Sequence, residues 1–125
     1  MAQITIEKLY EKLLEQINAA DDIDVFYIGK AKDVQQRAEE HKKDNLPITI
    51  TLASGKESII LEAEKFLQEK FQNDNRCINK QKGGGPNVEP TDNIYISYRK
   101  INPILESIND LDFEEFEWKT IYTLK

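Results

Sequence analysis

The chain has 125 residues, enough for one domain with its own core. Hydrophobic residues make up 39% and charged residues 32%, the balance of a small soluble globular protein, and no apolar run approaches the roughly 18 residues that a membrane span needs. A net charge of −6 and a sequence pI of about 4.9 argue against a general nucleic-acid coat protein, because phosphate binding needs a positive face, yet leave room for a local basic patch.

The N-terminus, MAQITIEKLYEK, lacks the basic stretch and apolar core of a signal peptide. One cysteine, Cys77, has no internal disulfide partner, so a reducing, cytoplasmic setting is expected and Cys77 reads as a packing residue. Charge is divided along the chain. Asp110, Asp112, Glu114, Glu115 and Glu117 crowd the DLDFEEFE stretch, whereas Lys30, Lys32, Arg37, Lys42, Lys43, Arg76, Lys80 and Lys82 enrich the middle.

In chain order, Ile6, Leu9, Tyr10, Leu13, Leu14 and Ile17 recur at helical steps and predict a helix over residues 6–19. Ile23 to Ile28 reads as a central strand, apolar on both faces except at Asp24. Gly29 to Lys32 is the expected connection, with the turn at Gly29. Asp33 and Gln36 stand at N-cap and capping-box positions of a second helix that runs to about Lys43 and stops at Asn45-Leu46-Pro47. Ile48 to Ala53 alternates as a strand, and Glu57 to about Gln72 forms a third helix with Ile60, Leu67 and Phe71 on one face. Residues 73–92, with three successive glycines and two prolines, form a long loop. Asn93 to Arg99 reads as a strand, residues 103–110 as a short helix behind Asn102-Pro103, and Thr120 to Leu124 as a last strand. The implied fold is α/β or α+β, one domain of helices packed on a small mixed sheet.

The stretch VFYIGKAKDVQQRAEEH, residues 25–41, concentrates the residues able to carry chemistry. A strand delivers the phenol of Tyr27, and the following helix places Arg37 and the only histidine, His41, one turn apart on one face. A phenol, a guanidinium and an imidazole converging in this way make a corner suited to phosphate chemistry.

These residues resemble the second motif and following helix of the GIY-YIG nuclease superfamily. Tyr27, Ile28 and Gly29 match the YIG letters, and Arg37 and His41 match the helix positions. ILEAEKFLQEKF resembles the family's glutamate helix, with Glu64 followed by Leu67 and Phe71 at the expected steps; Glu62 is the alternative half a turn away. Ile78-Asn79, ahead of Gly83, Gly84 and Gly85, resembles the family's asparagine before a glycine-rich loop. The resemblance covers about residues 24–85, with the helix at 6–19 and the segment 93–125 as extensions. It departs at the start, because the family's GIY strand pairs with the YIG strand and here a helix precedes Val25. Asn93-Ile94-Tyr95 carries nearly the missing letters, so the expectation is a permuted arrangement in which this strand lies beside the YIG strand and Tyr95 supplies the second phenol.

The resemblance implies a metal-dependent endonuclease acting on DNA phosphodiesters. Glu64 would hold Mg²⁺ (or Mn²⁺), which keeps most of its waters and needs few protein ligands. Tyr27 would be general base or proton relay, a role its ordinary pKa of about 10 permits only if nearby cations lower it. Arg37 would grip phosphate oxygens, His41 would assist proton transfer, and Asn79 would orient the loop. Lys30, Lys32, Asn79, Lys80, Lys82, Gly83 and Gly84 are the candidate nucleic-acid contacts. Two other readings stand beside this one: a nuclease-fold binding or regulatory module without turnover, and an interaction protein whose acidic-aromatic C-terminus, DFEEFEW, binds a protein partner or a second copy or mimics nucleic acid.

Overall fold

The computed structural model describes residues 2–20, 23–78, 92–100 and 118–125. Among these residues, five strands and three helices follow one another as β1 (Gln3–Ile4), α1 (Ile6–Ala19), β2 (Ile23–Ala31), α2 (Val34–Lys43), β3 (Ile48–Ser54), α3 (Glu57–Phe71), β4 (Asn93–Lys100) and β5 (Tyr122–Leu124). The sheet runs in the order β1-β5-β3-β4-β2. β4 is antiparallel to both β2 and β3, while β5 is parallel to β3 and to β1. The expected mixed sheet with flanking helices is therefore what the chain forms. Among the described residues no helix is long and apolar enough to cross a membrane.

Local chemistry accounts for the helix starts. The Thr5 hydroxyl accepts the Lys8 amide at the head of α1, and the Asp33 carboxylate accepts the Gln36 amide at the head of α2. α2 ends where Asn45 takes a left-handed conformation (φ 68°), which asparagine tolerates better than most residues, and the Leu46 amide returns to the His41 carbonyl at 2.8 Å. α3 has no side-chain cap and is held by packing. Its apolar face, Ile60, Ala63, Leu67 and Phe71, is buried as its periodicity requires.

Side chains alternate across the sheet and divide it into two unlike faces. Phe26 and Ile28 of β2 stand opposite Tyr98 and Ile96 of β4 and join the core under α1 and α3, where Phe26 meets Phe71 edge-on with centroids 5.3 Å apart. Tyr27, Gly29, Tyr95 and Ser97 belong to the other face, on which α2 lies. β4, flanked by strands and covered on both faces, is buried from Ile94 to Tyr98.

Several boundaries differ from expectation. β2 does not turn at Gly29: Gly29, Lys30 and Ala31 continue the ladder opposite Tyr95, Ile94 and Asn93. The connection shrinks to Lys32-Asp33, and long-range pairing overrides the usual reading of glycine as a breaker. β1 is too short to leave a periodic signal, and β5 begins at Tyr122 rather than Thr120. Cys77 packs against the core, as expected, and sits in an isolated parallel bridge beside Phe26. The expected helix at 103–110, the acidic run and the glycine loop with Asn79, Lys80, Lys82, Gly83 and Gly84 lie outside the described residues.

Phe71 joins the rings of Phe26 and Tyr10, so Phe71→Ala should cost about 3–5 kcal/mol in urea unfolding, whereas the exposed Lys65→Ala should stay within about 0.5 kcal/mol.

Candidate functional site

The β2–β4 pairing decides what meets at the site. With Gly29 opposite Tyr95 and Tyr27 opposite Ser97, the two tyrosines are diagonal neighbours on one face. Their rings lie nearly parallel, at 29°, with centroids 6.3 Å apart. α2 lowers His41 onto the pair: its ring centroid is 4.7 Å from that of Tyr27, and its Nε2 hydrogen-bonds the Tyr95 hydroxyl at 2.8 Å. The expected adjacency of residues 93–98 and the YIG strand is thus present, and Tyr95 does bring a second phenol to Tyr27.

Gly29 is there for room. A Cβ at that position would stand 2.6 Å from the Tyr95 hydroxyl and 2.7 Å from the Tyr27 ring, closer than real Cβ contacts come. Any side chain would have to push both phenols aside.

On the outer side of β2, α3 presents Glu64 and, one turn on, Gln68. Both are buried, while Glu62 and Glu69 are exposed, so α3 turns Glu64 inward in preference to the alternative register. Gln68 Nε2 donates to the Ile28 carbonyl at 3.2 Å, and this ties α3 to the unpaired edge of β2. Farther along that edge the Phe26 amide donates to Arg76 O and the Ile78 amide to Phe26 O, so the chain leaves α3 alongside β2 before residue 79. Arg76 is fixed there by a 2.8 Å pair with Asp74 and by its bond to Asn18.

Lys30 was expected among the nucleic-acid contacts. Instead its ammonium lies 3.0 Å from Glu64 Oε1, with the two side chains only 10% and 9% exposed. Because β2 extends to Ala31, Lys30 shares the face of Phe26 and Ile28, where a buried ammonium needs an acid within reach. Lys32 is exposed. Arg37 is also exposed, with Nη1 2.9 Å from Glu40 Oε2, and is near enough to both phenols to favour their ionised forms.

These surroundings set the protonation states. Burial, reinforced by the Glu64 charge, holds Tyr27 above the ordinary phenol range, and Arg37 offsets this only in part. Burial also raises Tyr95, with Tyr27 adding to the effect. Both are neutral hydroxyls near pH 7, so the expected lowering of Tyr27 is not a property of the metal-free protein. Burial lowers His41, against the pull of Asp44 and Glu40, and favours a neutral imidazole.

No group of three or more His, Cys, Asp or Glu able to hold a metal occurs among the described residues. Magnesium does not need one, since one or two oxygen ligands and retained waters suffice. The donors at this corner suit such an ion: Glu64 is a buried carboxylate, and Gln68 Oε1, one turn away on the same helix, is buried without a hydrogen-bond partner.

Compared with known proteins, the chain finds no match: no family model, no curated protein and no solved structure matches it.

Two measurements test this geometry. Gly29→Ala should lower stability by about 1–3 kcal/mol in chemical denaturation, the scale of overpacking. His41 should titrate below 6.5 by NMR. Because its folded pKa is the lower one, the unfolded chain binds the extra proton. Stability due to His41 is therefore complete above about pH 6.5 and falls as pH drops toward the folded value, a loss His41→Gln should remove.

Proposed function

We propose that the chain is a divalent-metal-dependent endonuclease of GIY-YIG type acting on DNA, with β4 in the place of the missing first-motif strand. The observation that carries this reading is the convergence of Tyr27, Tyr95 and His41 around Gly29, with Glu64 buried at the edge of the same strand. These residues come from separate parts of the chain and are brought together by the β2–β4 pairing and by α2.

In this mechanism Arg37, on the open side of the phenols, exchanges Glu40 for the scissile phosphate. Its planar fork suits two phosphate oxygens, and the exposed pair with Glu40 costs little to break. Tyr27 relays the proton of the attacking water by passing its own phenolic proton onward, and the positive charge of Arg37 favours the transfer by offsetting part of the burial that holds it neutral. The bond between His41 and Tyr95 fixes the imidazole beside Tyr27, where it can pass a proton onward. Glu64, with Gln68 beside it, would hold the divalent cation, which supplies Lewis-acid stabilisation of charge on the phosphate and leaving oxygen.

The second reading, a nuclease-fold binding module, is favoured by one specific observation: Glu64 already has a counter-ion in Lys30.

Nicking of supercoiled plasmid distinguishes them. Wild type should nick with Mg²⁺ or Mn²⁺ and not with EDTA. Arg37→Ala, Tyr27→Phe and Glu64→Gln should each lose about 100-fold or more. Glu64→Gln is preferred to Glu64→Ala because its amide oxygen can still accept from Lys30 and its volume is kept, although both variants remove the counter-charge and should be less stable than wild type. Salt-sensitive DNA binding without nicking would favour the binding module.

A further inference from the structure

Lys30 and Glu64 form an ion pair that is almost wholly buried where β2 meets α3, and the other inward polar residue of that helix, Gln68, carries an unpartnered oxygen. A buried carboxylate needs a positive partner, and in the absence of metal Lys30 is that partner. The ammonium is also the replaceable kind of cation: a point charge on a flexible stem, with none of the two-pronged fit by which an arginine clamps a carboxylate.

We infer that Lys30 is a built-in counter-cation that keeps Glu64 charged and inward until its ammonium yields that place to a divalent metal ion, and that the freed Lys30 then adds its own charge to that of the metal. The inference rests on the proposed metal site and adds to it a competition within the protein. The charges support the exchange. Lys30 with Glu64 sums to zero; Glu64 with a divalent ion and a released Lys30 sums to +2. A phosphodiester carries −1 and gains negative charge toward its transition state, so the loaded arrangement is the complementary one. Gln68 Oε1 offers an oxygen to a metal ion that it does not offer to Lys30, which biases the exchange toward the metal.

The test is Mn²⁺ binding to the full chain by isothermal titration calorimetry at fixed ionic strength, comparing wild type with Lys30→Met, Lys30→Arg and Glu64→Gln. Removing the competing charge should tighten Mn²⁺ binding about tenfold in Lys30→Met. Lys30→Arg, whose fork grips the carboxylate harder, should bind Mn²⁺ more weakly than wild type, and Glu64→Gln should abolish the heat. Mn²⁺ should also raise the melting temperature of Lys30→Met more than that of wild type. Binding by Lys30→Met no tighter than wild type overturns the inference. Should that variant fail to fold, equal or tighter binding by Lys30→Arg overturns it instead. The readout is independent of cleavage: tighter binding by Lys30→Met without plasmid nicking supports the exchange and removes only the nuclease reading, whereas nicking with equal Mn²⁺ affinities overturns the exchange alone.

Discussion

The pairing of Gly29 with Tyr95 across β2 and β4 is the contact on which the rest of the site depends. It sets the register that places Tyr27 and Tyr95 on one face. Only a residue without a side chain leaves the phenols where they are, because a Cβ would collide with both. A shift of one residue would send Tyr95 into the apolar core and an isoleucine toward His41. The apolar face resists that shift, since Ile94 and Ile96 would exchange the apolar core for polar surroundings. Core packing on one side of the sheet thereby fixes polar geometry on the other.

β2 also divides two kinds of chemistry. On its α2 face stand neutral hydrogen-bonding groups, two raised phenols and a lowered imidazole, all held so by burial. At its α3 edge stands a charged pair, Lys30 and Glu64. An edge strand normally leaves unpaired backbone groups exposed. Here Gln68 bonds Ile28 O, and the backbone of residues 76–78 bonds Phe26. The edge is satisfied by the segments that supply the carboxylate and lead into the glycine loop, so stability and site assembly draw on the same contacts. An overall charge of −6 is compatible with an anionic substrate in this scheme, because the cations that matter are local.

Much of this was readable before folding was considered. The apolar periodicity of α1 and α3 and the Asp33 cap of α2 are local signals, and the helices begin and end within a residue or so of where those signals put them. Glu64 stood out by its resemblance to a family glutamate with Leu67 and Phe71 at the matching steps, and α3 turns it inward. What was not legible depends on partners distant in sequence. Gly29 and Lys30 read locally as a turn and become strand only because Tyr95 and Ile94 pair with them. β1 has two residues, too few for any pattern, and exists because β5 lies beside it. Lys30 read as surface charge because its strand assignment stopped short; once β2 extends, its parity puts it on the buried side and Glu64 becomes its necessary partner.

A divalent cation bound where β2 meets α3 is what the proposed chemistry requires, and paramagnetic broadening by Mn²⁺ in the NMR spectrum of the full chain tests that most directly. Substoichiometric Mn²⁺ should broaden the amides of Gly29, Lys30, Glu64 and Gln68 first, and Glu64→Gln should leave them sharp. Broadening confined to the acidic run at residues 110–117, with Gly29 and Lys30 unchanged, would contradict it.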